Sequence, residues 1–351
     1  MKKNLNRCIG AYVGAAIGDA MGGPVECLHF ERIRSFFPDG VQGLLPYAKP
    51  YTAIELHPGY ALHADPGSVT DDTYIRKDLT LYFLNNPPPY TAKSLALWLA
   101  DHAEFDQWWK PVVEILFSIK RGEADAETSG LTHMQGGGIG WWSQLGVLYS
   151  GDPERAAQTG RSLCRIWKAA LEQDFCAAVA AATAVATTDG SDWQSVIDAM
   201  LAYGGPLSSK LIDRAVNIAV AESDMWTLAR KLYDQILVPD EPTRLSNGPM
   251  PPSVVGIAGS EAHYASLHWA EQIPLAAAAL VFGKGTSASI PCCVNFGRDC
   301  DTTSTTVGAW AGGLCGLDGL PKEWVDAVQS ANKAELDLVD LATKLASINP
   351  S

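Results

Sequence analysis

Three glycines recur at every fourth position near the start of the chain, Gly10, Gly14 and Gly18, within a stretch that sets Ile9, Val13, Ala16, Ile17 and Ala20 at helical spacing. Glycine weakens a helix interior by about 1 kcal/mol relative to alanine, so a row of them calls for a compensating contact. Small residues repeated every four let another helix come close, and the pattern from Leu5 to Met21 therefore predicts a helix with a tightly packed partner. A second helix is predicted from the Thr70-Asp71-Asp72-Thr73 step to Leu84, stopped by Asn85-Asn86-Pro87-Pro88-Pro89. Further helical patterns run over Thr91 to Asp101, Ala156 to Leu171, Asp174 to Ala186, Trp193 to Tyr203, Leu207 to Leu237, Pro274 to Phe282, Thr302 to Cys315 and Trp324 to Ser347. Strand patterns are nearly absent. Pro38 to Val69 and Val238 to Gly259 read as loops. No repeat, low-complexity tract or linker divides the 351 residues, so one all-α domain over 1–351 is expected.

Apolar residues make up 47% and charged residues 19%, a globular composition able to bury a sizeable core. With 26 Lys and Arg against 39 Asp and Glu the formal charge is -13, which argues against nucleic acid or an anionic membrane as partner and makes cations the natural counterions. The eight cysteines form no CxxC pair and no secretory framework, which favours a reducing compartment. No signal peptide is read at the N-terminus. The longest apolar run, Ile273 to Phe282, is too short to span a bilayer. A soluble, cytoplasmic protein is expected.

The acidic residues carry the chemistry. Thr70-Asp71-Asp72 places a hydroxyl and two carboxylates at a helix start, and Asp299-Cys300-Asp301-Thr302 places two carboxylates two apart, then a hydroxyl, at another. These hard oxygen donors suit Mg²⁺, Mn²⁺ or Ca²⁺ and not zinc. Ordinary helix capping by Asp and Thr accounts for either motif taken alone. A third acid, Glu26, follows the glycine-rich end of the first helix. The seven histidines show no HExxH or other paired-ligand spacing.

Taken together, Gly10-Ala-Tyr-Val-Gly-Ala-Ala-Ile-Gly-Asp-Ala-Met-Gly-Gly-Pro-Val-Glu26, Val69-Thr-Asp-Asp-Thr73 and Val294-Asn-Phe-Gly-Arg-Asp-Cys-Asp-Thr-Thr303 resemble the ADP-ribosylglycohydrolase family, which includes dinitrogenase-reductase-activating glycohydrolases and ADP-ribosyl-acceptor hydrolases. The resemblance implies a compact orthogonal helical bundle with a central cleft holding two Mg²⁺ or Mn²⁺. It implies Thr70, Asp71, Asp72, Asp299, Asp301 and Thr302 as the metal ligands, with Glu26 beside them. It also implies hydrolysis at the anomeric carbon of ribose, a reaction that needs a metal-bound water and a nearby base; Asp71 or Asp301 is expected to position the metal and its water, with Glu26 as an acid just outside the metal ligands or as the general base. The substrate is then a small-molecule or protein-linked ribosyl group, and ADP-ribosyl-acceptor hydrolysis is the first expectation. Hydrolysis of a small N- or O-riboside is the alternative. A binding-only pseudoenzyme comes third, disfavoured because all six implied ligands are kept.

The chain departs from the family pattern at three places. Gly297-Arg298 stands where relatives carry two glycines, and Arg76 follows Asp72 by four residues on the same helical face. Arg76 and Arg298 either pair with neighbouring acids or grip a substrate phosphate or carboxylate. In the middle region, Gln135-Gly136-Gly137-Gly138-Ile139-Gly140-Trp141-Trp142 replaces the Gly-Asn-Gly and Met-Arg of relatives. Gly137 and Gly138 are candidates for offering backbone N-H groups to a diphosphate and Trp142 for stacking on a base, against the plainer alternatives of a turn and a core aromatic. His263, Tyr264 and His268 are weighed as cleft residues but read better as part of a polar helix.

Overall fold

The N-terminal glycine period is answered by a second set of small residues near the C-terminus. In the computed structural model, which describes residues 2–26, 28–48, 63–131, 138–236, 269–334 and 336–350, helix α1 spans Leu5–Gly22. The helices that follow are α2 (Phe30–Phe36), α3 (Asp71–Asn85), α4 (Ala92–His102), α5 (Lys110–Lys120), α6 (Ser143–Leu148), α7 (Pro153–Leu163) and α8 (Ala170–Ala186). The second half carries α9 (Trp193–Tyr203), α10 (Pro206–Val220), α11 (Met225–Gln235), α12 (Trp269–Phe282), α13 (Ser289–Val294), α14 (Cys300–Cys315), α15 (Lys322–Asn332) and α16 (Leu338–Ser347). Strands are limited to β1 (Tyr47–Ala48) and β2 (His63–Ala64), paired antiparallel with Tyr47 opposite Ala64. The expected all-α class holds.

The α1 and α14 helices form the central pair. A Cβ on Gly10, Gly14 or Gly18 would lie 2.3, 2.4 and 1.9 Å from the carbonyl oxygens of Gly312, Gly308 and Ser304. On Gly22 it would lie 2.4 Å from Asp301 Cα. Any side chain at these four positions would hold the two backbones apart, so the helix propensity lost to glycine is exchanged for close contact along the whole seam. The alanine-rich α8, together with Trp108, Trp142, Trp167 and Trp310, fills the interior around this pair. No helix among the described residues is long and apolar enough to cross a membrane.

Several helices end earlier than their sequence patterns imply, because acids read as helix-interior residues act as caps. The expected helix from Leu207 to Leu237 breaks into α10 and α11, where Asp224 accepts a hydrogen bond from Thr227 N at 2.8 Å. Trp324 to Ser347 breaks into α15 and α16, with Asp337 capping Asp340 N at 3.0 Å. Ala156 to Leu171 ends at Leu163, followed by a 3₁₀ turn over Cys164–Ile166. The short helices α2, α6 and α13, and also α5, go beyond the sequence expectations. The expected loop from Val238 to Gly259, and His263, Tyr264 and His268, lie outside the described residues.

Candidate metal centre

The seam between α1 and α14 brings the acidic segments from the two ends of the chain together. Thr70 is the N-cap of α3 and accepts a hydrogen bond from Asp72 N at 3.4 Å. Asp19, in the last turn of α1, reaches across to the same helix start. Its Oδ1 accepts from Thr70 Oγ1 at 2.6 Å, and both of its oxygens lie 3.1 Å from Thr70 N. Its Oδ2 also accepts from Thr73 N at 3.2 Å and from the Thr73 hydroxyl. A carboxylate at an N-terminus is favoured by the helix dipole and by these donors. Burial nevertheless dominates and pushes the Asp19 carboxyl up to about 6, with the charge of Asp71 adding to the rise.

Two carboxylate triads follow. Oxygens of Asp19, Asp72 and Asp301 lie within 4.8 Å of one another, and so do oxygens of Glu26, Asp299 and Asp301, which makes Asp301 common to both. The four aspartates are oriented by neutral donors. Asp72 accepts from Trp141 Nε1 through Oδ1 and from Thr302 Oγ1 at 2.8 Å through Oδ2. Asp301 accepts from Thr302 N at 2.8 Å and from Thr70 Oγ1 at 3.3 Å. Asp299 accepts from Gln272 Nε2. The Cys300 thiol, between Asp299 and Asp301 in sequence, is directed to Gly22 O at 3.4 Å.

Burial is the first cause raising the carboxyls of Asp72 and Asp301 well above the usual range. Repulsion adds to it, from Asp71, Asp19 and Asp299 at Asp72 and from Glu26, Asp299, Asp72 and Asp19 at Asp301. Acids packed this way ionise together only when a positive charge compensates them. Oxygen-only donors at this spacing fit hard divalent cations.

Among the residues singled out from sequence, Thr70, Asp72, Asp299, Asp301 and Thr302 converge here and are all buried. Glu26 stands at a less buried edge of the second triad. Asp71, the first residue of α3, is half-buried and outside both triads, although its charge acts on Asp19 and Asp72. Arg76 is 1% exposed, with its guanidinium carbon 4.7 Å from the centre of the Tyr12 ring; among the described residues its Nε and Nη1 have no hydrogen-bond partner. Arg298 is engaged by Glu271, at 2.7 Å from Nε to Oε1 and 3.2 Å from Nη2 to Oε2. Its backbone is left-handed (φ 61°), and its N-H is held by Leu28 O at 2.8 Å. Gly138 takes φ 68°, and a Cβ there would meet the Trp141 ring at 2.6 Å; Gly137 lies outside the described residues. Trp142 is fully buried, 6.4 Å from the Trp167 ring.

Sequence reasoning overlooked four residues of the site: Asp19, Trp141, Glu271 and Gln272. Asp19 had a signal, since it follows the last of the three spaced glycines directly. Glu271 and Gln272 had a fainter one, as adjacent polar residues in an otherwise apolar helix. Trp141 had none that separates it from Trp142.

A family model for ADP-ribosylglycohydrolase matches residues 1–349, and the chain belongs to that family. A solved structure described as an "ADP-ribosylglycohydrolase-related protein complex" shares the fold, with a TM-score of 0.65 and 18% identity over 99% of each chain. No functionally curated protein matches. Family and acidic cluster together define a metal-dependent hydrolase of the ADP-ribosylglycohydrolase type.

Proposed function

We propose that the chain, acting as one domain, hydrolyses the glycosidic bond between a ribosyl group and its acceptor, with an ADP-ribosyl conjugate as substrate. The observation that carries this reading is the sharing of the buried Asp301 between two carboxylate triads, in a chain of this family. Asp72, Asp299 and Asp301, with Thr70, Thr302 and Asp71 beside them, would hold two Mg²⁺ or Mn²⁺. When bound, such a pair supplies positive charge that keeps the carboxylates ionised, attracts ribose hydroxyls and lowers the pKa of water. The protein's own part is positioning and proton transfer. Trp141, Thr302 and Gln272 fix the carboxylates of Asp72 and Asp299, so little reorganisation remains as an oxocarbenium-like state forms at the anomeric carbon. Glu26 would take the proton of the attacking water, a role supported by its being less buried than Asp299 and Asp301 beside it. Asp19 spends its acceptor capacity on Thr70 and Thr73, which suits it to holding the start of α3 in place.

One observation favours a second reading, a small N- or O-riboside without a diphosphate. Arg76 is buried against Tyr12 and Arg298 is engaged by Glu271, so neither guanidinium stands open to phosphate. Both readings are tested by incubating the purified chain with ADP-ribosylated peptides, ADP-ribose conjugates and simple ribosides, with Mg²⁺, Mn²⁺ or chelator, and identifying products by mass spectrometry. Free ADP-ribose released only with metal supports the first reading, and an unphosphorylated sugar supports the second. No release from any substrate by metal-loaded protein refutes both.

A further inference from the structure

Helix α12 enters the site with Glu271 and Gln272, each 2% exposed. Glu271 is committed to Arg298. Gln272 donates through Nε2 to Asp299 Oδ2, which fixes the sense of its amide, because the opposite sense would set a carbonyl oxygen against a carboxylate oxygen. The planar amide then puts Oε1 about 2.2 Å from Nε2, close beside Asp299. Among the described residues this buried Oε1 has no hydrogen-bond partner. An amide carbonyl left in that state costs roughly 1–3 kcal/mol, so the working site has to supply a donor. The carboxylates around it are acceptors when ionised and cannot serve. A small neutral O-H group can, and it does so without adding to the charge that the carboxylates and their cations already balance.

We propose that Gln272 is a specificity-determining residue whose Oε1 accepts a hydrogen bond from a hydroxyl of the bound ribosyl ring, reading ribosyl against deoxyribosyl substrates. This rests on the ribosyl reading above. A site built around a hydroxyl discriminates strongly against the analogue that lacks it, because its own polar group is then left buried and unpaired.

The experiment is a two-by-two comparison on the full chain loaded with Mn²⁺. Wild type and Gln272→Met are assayed on the cleaved ribosyl substrate and on its 2-deoxy and 3-deoxy ring analogues. Mn²⁺ affinity is measured separately by electron paramagnetic resonance. For one of the two hydroxyls, wild type is expected to prefer the intact substrate by about tenfold or more in kcat/KM. Gln272→Met should lose most of that preference, and because it also removes a donor to Asp299 its Mn²⁺ affinity should fall by up to about tenfold, so the two proteins are compared at saturating Mn²⁺. An equal fall on intact and deoxy substrates would make Gln272 only a support for Asp299 and overturn the proposal. A fall in Mn²⁺ affinity in Gln272→Met with the preference for the intact substrate kept would overturn it in favour of a cation-holding role. Should wild type cleave no ribosyl substrate at all, the functional reading itself fails and takes the proposal with it, a result distinct from the other two.

Discussion

Replacing Gly308 with alanine tests the seam on which the whole site depends. The new Cβ would lie 2.1 Å from Gly14 O, 2.8 Å from Gly14 C and 3.2 Å from Ala15 Cα, all of them in the backbone of α1. No flexible side chain can yield, so α1 and α14 must separate by roughly 1.4 Å to bring the shortest contact to ordinary distances near 3.5 Å. A gap of that size forfeits about half of the ~0.15 kcal/mol per atom pair, and over roughly 50 pairs along the seam this comes to about 4 kcal/mol. Alanine's better helix propensity returns about 1 kcal/mol, leaving a net loss of about 3 kcal/mol. Gly160→Ala in α7 is the milder comparison, since its Cβ would meet the nearest atom, Cys176 O, at 3.3 Å, so the neighbour has only a few tenths of an ångström to yield. In thermal and urea unfolding, Gly308→Ala should melt about 4 °C below wild type and Gly160→Ala within about 1 °C of it. Divalent-cation affinity should fall in Gly308→Ala alone, because α1 carries Asp19 and α14 carries Asp301. Equal melting losses at the two glycines, or a Gly308→Ala protein as stable as wild type, would refute the reasoning.

Asp301→Asn should abolish metal-dependent turnover and divalent binding, yet raise the melting temperature in chelator because one of the mutually repelling buried carboxylates is gone; a lower melting temperature would contradict this. Trp141→Phe removes the indole donor to Asp72 and should weaken Mn²⁺ binding about tenfold with the fold kept, as read by circular dichroism and metal competition. For pH, folded Asp19 keeps its proton up to about 6, whereas the unfolded chain releases it near 3.8. Folding therefore takes up a proton between these values, and metal-free stability should fall as pH rises through that window, by about 3 kcal/mol from this group. Asp72 and Asp301, raised in the same direction, should add to the fall, and saturating Mn²⁺ should suppress it; urea midpoints rising with pH in chelator would be the contrary result. Glu271→Gln leaves the Arg298 charge buried without its bidentate partner and should cost about 3 kcal/mol in urea unfolding, while a change below about 1 kcal/mol would contradict the assigned pairing.

What could be read from the sequence was what repeats or caps. The spacing of Gly10, Gly14 and Gly18 announced a close helix pair, and Thr70-Asp71-Asp72 announced a helix start that the structure places within one residue. The segments holding Asp299, Asp301 and Thr302 could be linked to those at the other end of the chain only through the family resemblance, because nothing local in either motif records their distance in space. Asp19 escaped because a carboxylate at the end of a helix looks like a surface residue until its four donor groups on Thr70 and Thr73 are seen. Gln272 and Trp141 act through single side-chain hydrogen bonds between distant parts of the chain, which leave no periodic trace. The helix breaks at Asp224 and Asp337 were hidden for a related reason: an acid on the exposed face of a long helical pattern and an acid capping a new helix have the same sequence signature.

The central claim is that two divalent cations are held by carboxylates sharing Asp301. Its most direct measurement is anomalous scattering from crystals grown with saturating Mn²⁺. Two adjacent manganese peaks are predicted, one against Asp72 and Asp301 and one against Asp299 and Asp301. A lone peak away from Asp301, or none at saturating Mn²⁺, would contradict it.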